Sequence, residues 1–420
     1  VYGAYSQVGA KTYGGSTAFY NSGLVNTGLR WEQSQSFEAG LDIGFLNNRL
    51  SFILDYYNRT TKDLLTKQAL PGYTGFTEIM TNMGTLRNYG FEMEVRANIL
   101  NNPKGLTWDV TANLSSVANK IVKLPYNGNP NNRVGGYEVA TGRKKADGTD
   151  ETKWIAGRQE GGKLGELVAY KQNHIFKDWD DVKKYANNRI DEVANLYGPG
   201  LAAQYAGKEG WQPIEPGDVC WEDINGDGVI NGYDRQVVGN IFPKVTGGFS
   251  TTFSYKNWSL YGRFDYALGH TLYNDLKART LGQYQGTWNI ITDVKDMWTE
   301  DNPNTDLSKY YFGDQNIKKN ITRSNNGLTA ADNNNSHYYE KGDYLCLREL
   351  TLSYTLPKSL ISKCFMTDAS VYVTGQNLFY ITGYEGTSPE PAVSTEYGRG
   401  IDNGRYPTPR TVLFGLSVSF

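Results

Sequence analysis

The chain has 420 residues, room for two or three ordinary domains, yet 13% are aromatic, with 31 tyrosines and 47 glycines. That composition suits twisted strands and turns and excludes a helical bundle. A formal charge of −2 excludes the basic footprint of a nucleic-acid binder, and no apolar run reaches the roughly 18 residues of a membrane helix, which leaves short alternating strands as the one way this chain could cross a bilayer.

Residues 1–5 already read as a strand and not as a signal peptide, so a mature or partial chain is expected. Phe37, Ala39, Leu41, Ile43 and Phe45 alternate with Glu38, Gly40, Asp42 and Gly44. After Asn47 and Asn48, Leu50, Phe52, Leu54 and Tyr56 alternate in turn, which predicts a hairpin with a tight turn. A long excursion is expected over 62–85. Phe91, Met93, Val95, Ala97 and Ile99 alternate with Glu92, Glu94, Arg96 and Asn98, and a second hairpin returns through Leu106, Trp108, Val110, Ala112 and Leu114. The excursion 125–240 carries a Gly/Asn/Asp-rich stretch at 128–150, expected to be a mobile loop. It also carries a helix capped by Asp178, with Val182, Tyr185, Arg189, Val193 and Leu196 on one face and an end at Gly198 and Pro199.

Further strands run through Phe249–Tyr255 and, after Lys256 and Asn257, through Trp258–Leu268. Excursion 269–340 follows, then strands around Leu350–Leu356 and Ala369–Val373, then excursion 380–408. The last strand puts Val412, Phe414, Leu416, Val418 and Phe420 on one face, and Thr411, Gly415, Ser417 and Ser419 on the other, with Leu413 the exception. Short turns at one end and long loops at the other are the pattern of an outer-membrane barrel. A soluble β-sandwich has short turns at both ends and shorter strands. The predicted fold is all-β, a transmembrane antiparallel β-barrel, with Glu92, Glu94, Arg96, Asp109 and Asp265 facing its lumen and loops 125–240, 269–340 and 380–408 outside the cell.

The sharpest local motif is 223–234, DINGDGVINGYD. Asp223, Asn225 and Asp227 stand at positions one, three and five, Gly228 at the sharp turn, the Val229 carbonyl at seven and Asp234 at twelve. Hard cations take six to eight oxygens, and this spacing can wrap them around one calcium ion. Position twelve is Asp where the full pattern has Glu, and no helix precedes the loop; loops of the dockerin type tolerate this ending. The competing reading is an Asx-turn loop that satisfies its own side chains.

Enzyme signatures are absent: His174, His270 and His337 are isolated, and neither G-x-S-x-G nor a phosphate-binding glycine loop occurs. The expectation is therefore a protein that is not an enzyme. Cys220, Cys346 and Cys364 have no metal spacing, and an odd count argues against a disulfide framework. The loop aromatics Trp154, Trp179, Trp211, Trp288, Trp298, Tyr310, Tyr311, Phe312, Tyr338 and Tyr339 read as loop cores ahead of stacking surfaces for sugar or peptide. The alternative to a transporter is a secreted carbohydrate-binding β-protein.

Several blocks, in order along nearly the whole chain, resemble the C-terminal part of the SusC/RagA family of TonB-dependent outer-membrane transporters of Bacteroidota. They are 31–50 (WEQSQSFEAGLDIGFLNNRL) running on into 55–65 (DYYNRTTKDLL), 82–92 (NMGTLRNYGFE), 217–230 (GDVCWEDINGDGVI), 344–357 (YLCLRELTLSYTLP), 375–379 (GQNLF) and 406–411 (YPTPRT). The resemblance implies a plugged barrel of about 22 strands, import of glycans or peptides driven through TonB, and a SusD-like lipoprotein lid, with transporter–lid pairs able to dimerise. It also implies a plug, a TonB-contact segment and further strands N-terminal to these residues, because about a dozen strands alone would leave open edges that lipid cannot satisfy.

Overall fold

The computed structural model describes residues 7–102, 105–185, 216–227, 230, 232–278, 280–281, 291–309, 335–390, 400–404 and 406–420. The chain divides into two compact units: Val1–Ala97, Asn113–Gly136 and Ala156–Leu164 in one, and Asn98–Ala112, Tyr137–Ile155 and Gly165–Phe420 in the other. The strand expected over residues 1–5 lies outside the described residues.

The first unit holds the hairpin of β1 (Gln7–Tyr13) and β2 (Ser16–Gly23), then β3 (Gln33–Phe45), β4 (Leu50–Ala69) and the larger parts of β5 (Glu78–Asn101) and β6 (Leu106–Lys123), with β3 to β6 adjacent in that order. The predicted alternation becomes rows across the strands. Leu41, Leu54 and Met93 share one face, as do Ile43, Phe52 and Val95; Gly40, Asp55 and Glu92 share the other. The β3–β4 turn is a four-residue loop in which Leu46, Asn47 and Asn48 all have positive φ. Asparagine tolerates that left-handed conformation better than most residues, which is why the turn falls here.

The expected excursion 62–85 is corrected: β4 and β5 stay paired out to Ala69 and Glu78, and only 70–77 is loop. Lys62, Asp63, Lys67 and Gln68 make this ribbon polar on both faces. It keeps its backbone ladder and loses the apolar alternation by which a strand is recognised. A register slip between Thr61 and Leu64 accommodates Asp63, at φ 55.

In the second unit the tip of the β5–β6 hairpin meets β13 (Val245–Tyr255): Trp108 stacks on Phe253 at 5.1 Å and donates from Nε1 to Thr251 Oγ1 at 2.9 Å. Before β13 in the chain come β7 (Tyr137–Lys144), β8 (Asp150–Ile155), β9 (Glu166–Tyr170), β10 (Gln172–Ile175), α1 (Trp179–Tyr185), β11 (Val219–Trp221) and β12 (Arg235–Asn240). After it come β14 (Trp258–Leu268), β15 (Thr271–Asn274), β16 (Tyr339–Lys341), β17 (Tyr344–Thr355), β18 (Asp368–Thr382), β19 (Ile401–Asp402) and β20 (Thr411–Ser419). Strands β13, β14, β17, β18 and β20 lie side by side in that order. One register row reads Phe253, Leu260, Leu352, Val373, Phe414; the row on the opposite face reads Ser254, Ser259, Ser353, Tyr372, Gly415. Gly415 has no room for a Cβ because the Tyr372 ring lies over it.

The apolar rows are exposed, with Phe414 84%, Leu416 66% and Val412 59% accessible on β20. A large apolar side chain left in water forgoes about 1.5–3 kcal/mol, so such a face is stable against a non-aqueous surface. Two dry clusters lie in the excursions. Tyr170, Ile175, Val219, Trp221 and Ile230 form one cluster, with Trp298 packed on it, and Tyr273, Ala278, Leu281, Met297 and Tyr338 form another. Trp298 and Tyr338 are thus loop core, and Tyr339 packs its ring 5.0 Å from Tyr273. Trp211, Trp288, Tyr310, Tyr311 and Phe312 lie outside the described residues.

Residues 128–150, expected to be a loop, contain β7, which pairs with β8 to make a hairpin. Asn and Gly signal a turn here without excluding the strands on either side of it. The predicted helix begins as expected, with Asp178 Oδ1 accepting from Asp181 N at 2.8 Å, an N-cap bond. Arg189, Val193, Leu196, Gly198 and Pro199 fall outside the described residues.

Candidate functional site

The register settles which charges share a face. Glu92, Glu94 and Arg96 stand opposite Asp55, Ile53 and Ser51, on the face away from Phe91, Met93 and Val95. Glu94 and Arg96 form an ion pair there, and Ser115 Oγ donates to Glu92 Oε1 at 3.2 Å. In the second unit, Asp109 accepts from Asn98 Nδ2 at 2.6 Å, and Asp265 stands opposite Cys346, on the face away from Phe264 and Leu347. All five predicted polar-face residues are therefore on the polar side of their strands.

Asp265 belongs to a larger cluster that sequence reasoning missed, centred on Arg348. This arginine sits in phase with Leu350, Leu352 and Tyr354 and would, in a regular strand, point out among them. The register instead slips on both sides of it, between Arg263 and Phe264 relative to β14 and between Leu347 and Glu349 relative to β18. A bulge re-aims a side chain, and here it delivers the guanidinium to the polar face. Nε donates to Asp265 Oδ1 at 2.5 Å, Nη1 donates to Asn377 Oδ1 and Tyr380 Oη at 3.1 Å each, and Nη2 pairs with Glu390. Tyr380 Oη donates to Glu390 Oε1 at 2.6 Å. Asn377 takes φ 51, as the doubled residues of β18 require. A charge in phase with an apolar row was the available signal.

Glu390 ends the segment 383–390, which is tied down along its length. Tyr384 Oη donates to Asp402 Oδ2 at 2.7 Å, the Glu385 amide donates to Glu340 Oε2 at 2.9 Å, and buried His270 Nε2 lies 2.8 Å from the Pro389 carbonyl. Lys277 pairs with Glu340 and Glu385. Burial works against its charge and the two carboxylates outweigh that, so its pKa lies above the ordinary value. Strands β16, β15 and β19 form one small sheet, so excursions 269–340 and 380–408 fold together. His337 has its pKa lowered, first by burial and then by the charge of Lys277. Such a braced body over a polar wall can hold a solute-contacting surface in a fixed place.

Of the predicted calcium ligands, Val229 lies outside the described residues, as does Gly228. Asp223 Oδ1 accepts from Gly226 N at 2.8 Å, and Asn225 Nδ2 donates to Asp227 Oδ2 and to Asp150 Oδ2 at 3.1 Å each. Asp234, fully buried, accepts from Ile224 N at 2.9 Å. The Asp223–Gly226 bond is of the Asx type that the competing reading expects, whereas those of Asn225 to Asp150 and of Asp234 to Ile224 tie the loop to itself and to β8 over longer separations. The donor set of carboxylates and an amide carbonyl suits a hard cation, while no group of three or more His, Cys, Asp or Glu side chains is arranged for a metal among the described residues. The three cysteines are free, and only Cys364 is exposed.

Residues 1–195 match the family model described as TonB dependent receptor-like, beta-barrel. TonB-dependent receptor P3 of Formosa agariphila is 28% identical over 403 residues, covering 94% of this chain and 35% of that protein. TonB-dependent receptor SusC of Bacteroides thetaiotaomicron is 26% identical over 398 residues, covering 94% of this chain and 32% of SusC. The chain spans about a third of the length of these curated relatives. A solved structure of the RagAB peptide transporter superposes with a TM-score of 0.69 at 24% identity, over all of this chain and 39% of its counterpart, a likeness of fold. With its exposed apolar rows, its polar opposite face and these relatives, the chain is similar to the TonB-dependent receptor β-barrels of the outer membrane, a likeness consistent with the SusC/RagA family.

Proposed function

We propose that this chain forms part of the wall and the extracellular vestibule of a SusC-like importer. It would take up glycan or peptide nutrients with energy delivered through TonB and a SusD-like lipoprotein closing over the loops. The observation that carries this reading is the pair of register rows across β13, β14, β17, β18 and β20: one apolar and open, the other hydroxyl-bearing. Lipid covers the first and a water-filled lumen wets the second. A secreted carbohydrate-binding protein would have to leave Phe414 and its neighbours in water.

Deleting the gene for the protein that carries this chain tests the function. Growth lost on one polysaccharide or on peptide as sole nutrient, and restored by the gene in trans, supports import and names the substrate class. Unchanged growth and unchanged uptake of labelled glycans and peptides refute it. Protease added to intact cells should cleave within 125–240, 269–340 or 380–408; cleavage only from the periplasmic side reverses the orientation.

Calcium is proposed for the loop Asp223–Asp234 on its spacing, with Asp223, Asn225, Asp227, the Val229 carbonyl and Asp234 as ligands. Binding would have to displace the bonds from Gly226 N and Ile224 N. Calorimetric titration of the purified protein tests it, and no heat together with no chelator-dependent shift in melting removes the site.

A further inference from the structure

The strand ends joined by short turns have an unusual charge pattern. The turns 46–49, 102–105, 256–257 and 356–367 contain Arg49, Lys104, Lys256, Lys358 and Lys363 and no Asp or Glu, in a chain whose net charge is −2. In the second unit two of these turns are knitted together. Thr355 N donates to the Asn257 carbonyl at 2.9 Å, and Asn257 Nδ2 donates to the Thr355 carbonyl at 2.6 Å. Lys256 thus lies beside the turn that bears Lys358 and Lys363. Neither Lys358 nor Lys363 has a carboxylate partner among the described residues; the nearest acid in sequence is Asp368, where β18 begins.

The turn between β17 and β18 is also apolar in a directed way. Its helical turn Lys358–Ile361 buries Ile361 and leaves Leu360 56% exposed. Phe365 closes it at φ 60, a left-handed position that glycine takes without steric cost, and stands 90% exposed. Among the described residues nothing covers this aromatic, which leaves it open to a contact outside the chain. Thr367 N donates to the Ser419 carbonyl, which brings this turn to the end of β20 and the exposed Phe420. The nearby row Tyr255, Trp258, Tyr354, Val371, Leu416 continues the apolar face. Tyr and Trp at such a border sit at headgroup depth.

We propose that the short-turn end of the sheet docks on an anionic phospholipid headgroup layer, with Leu360 and Phe365 set into the acyl boundary and Lys256, Lys358 and Lys363 paired with phosphate. Basic residues flanking apolar anchors bind anionic lipid in this way. The inference rests on the proposed insertion of the barrel in lipid, and insertion is measured separately.

Cys364, the exposed thiol of the same turn, supplies the probe. A polarity-sensitive maleimide dye on Cys364 is followed in the complete protein that carries this chain, reconstituted in phosphatidylethanolamine vesicles with and without phosphatidylglycerol. Heat-modifiable gel mobility reports insertion. Emission should shift to the blue, and quenching by aqueous iodide should fall severalfold, when phosphatidylglycerol is present. The triple variant Lys256→Gln, Lys358→Gln, Lys363→Gln should insert and lose that dependence, and Phe365→Ser should leave the dye wet in both lipids. A dye equally wet in both lipids, in protein that has inserted, overturns the docking and points to a protein partner at this turn. Protein that does not insert at all refutes the barrel reading, and the docking with it.

Discussion

Replacing Arg348 by alanine should loosen segment 383–390 from the polar face of the sheet. The change removes hydrogen bonds to Asp265, Asn377, Tyr380 and Glu390 and leaves two carboxylates without the guanidinium between them. The side chains are 19% exposed for Arg348 and 32% for each carboxylate, so water screens the loss in part. A charged hydrogen bond is worth about 1.5–3 kcal/mol and a fully exposed pair about 0–1 kcal/mol; for two such bonds, partly screened, about 2–4 kcal/mol is expected. That is roughly 1.5 to 3 decades in the opening equilibrium of the segment.

Amide hydrogen exchange reads it locally. The effect should be largest at Glu390 and fade towards Tyr384, which Asp402 holds independently. Arg348→Ala combined with Asp265→Asn and Glu390→Gln should recover part of the loss, because the stranded charges are gone. Exchange in 383–390 unchanged within about twofold in Arg348→Ala, or effects of Arg348→Ala and Glu390→Gln that simply add, would refute the account, since contacting residues couple by about 0.5–3 kcal/mol.

Phe414→Arg should cost about 2–4 kcal/mol in urea titrations of the complete protein folding into vesicles if that face meets the bilayer midplane. Ser417→Arg, on the other face of the same strand, should stay within about 0.5 kcal/mol; equal costs would sink the two-faced reading. Gly90→Ala should destabilise the first unit by about 1–3 kcal/mol, because its Cβ would lie 1.9 Å from the Ser116 carbonyl and 2.6 Å from Tyr57 Oη; an unchanged unfolding midpoint would mean the strands are not so close. His337 resists protonation when folded, chiefly through burial, whereas the unfolded chain takes up its proton near pH 6.5. Its contribution is therefore complete above about pH 6.5 and declines as pH falls further. His337→Gln should flatten that decline in a thermal-melt series, and a variant as acid-sensitive as the parent would dismiss it.

Much of the wall was legible residue by residue. The rows Leu41–Leu54–Met93 and Leu260–Leu352–Val373–Phe414 follow from period-two alternation, a local property that the backbone imposes wherever a strand forms. The turns at Asn47–Asn48 and Lys256–Asn257 followed from local turn chemistry in the same way. The ribbon 62–85 was not legible, because a strand wet on both faces has no alternation to detect. Neither were the hydrogen bonds of Asn225 to Asp150 and of Asp234 to Ile224, nor the joining of excursions 269–340 and 380–408 through β15, β16 and β19, which depend on residues well separated in the chain.

The contrast is sharpest at Arg348. Local sequence determined that this stretch is a strand with an apolar face and placed a charge in the middle of that face. Only the pairing of β17 with two neighbours decided that the strand bulges there and turns the charge towards Asp265 and Glu390. Alternation is a property of one strand, whereas a register slip is a property of three strands and the loop that answers them.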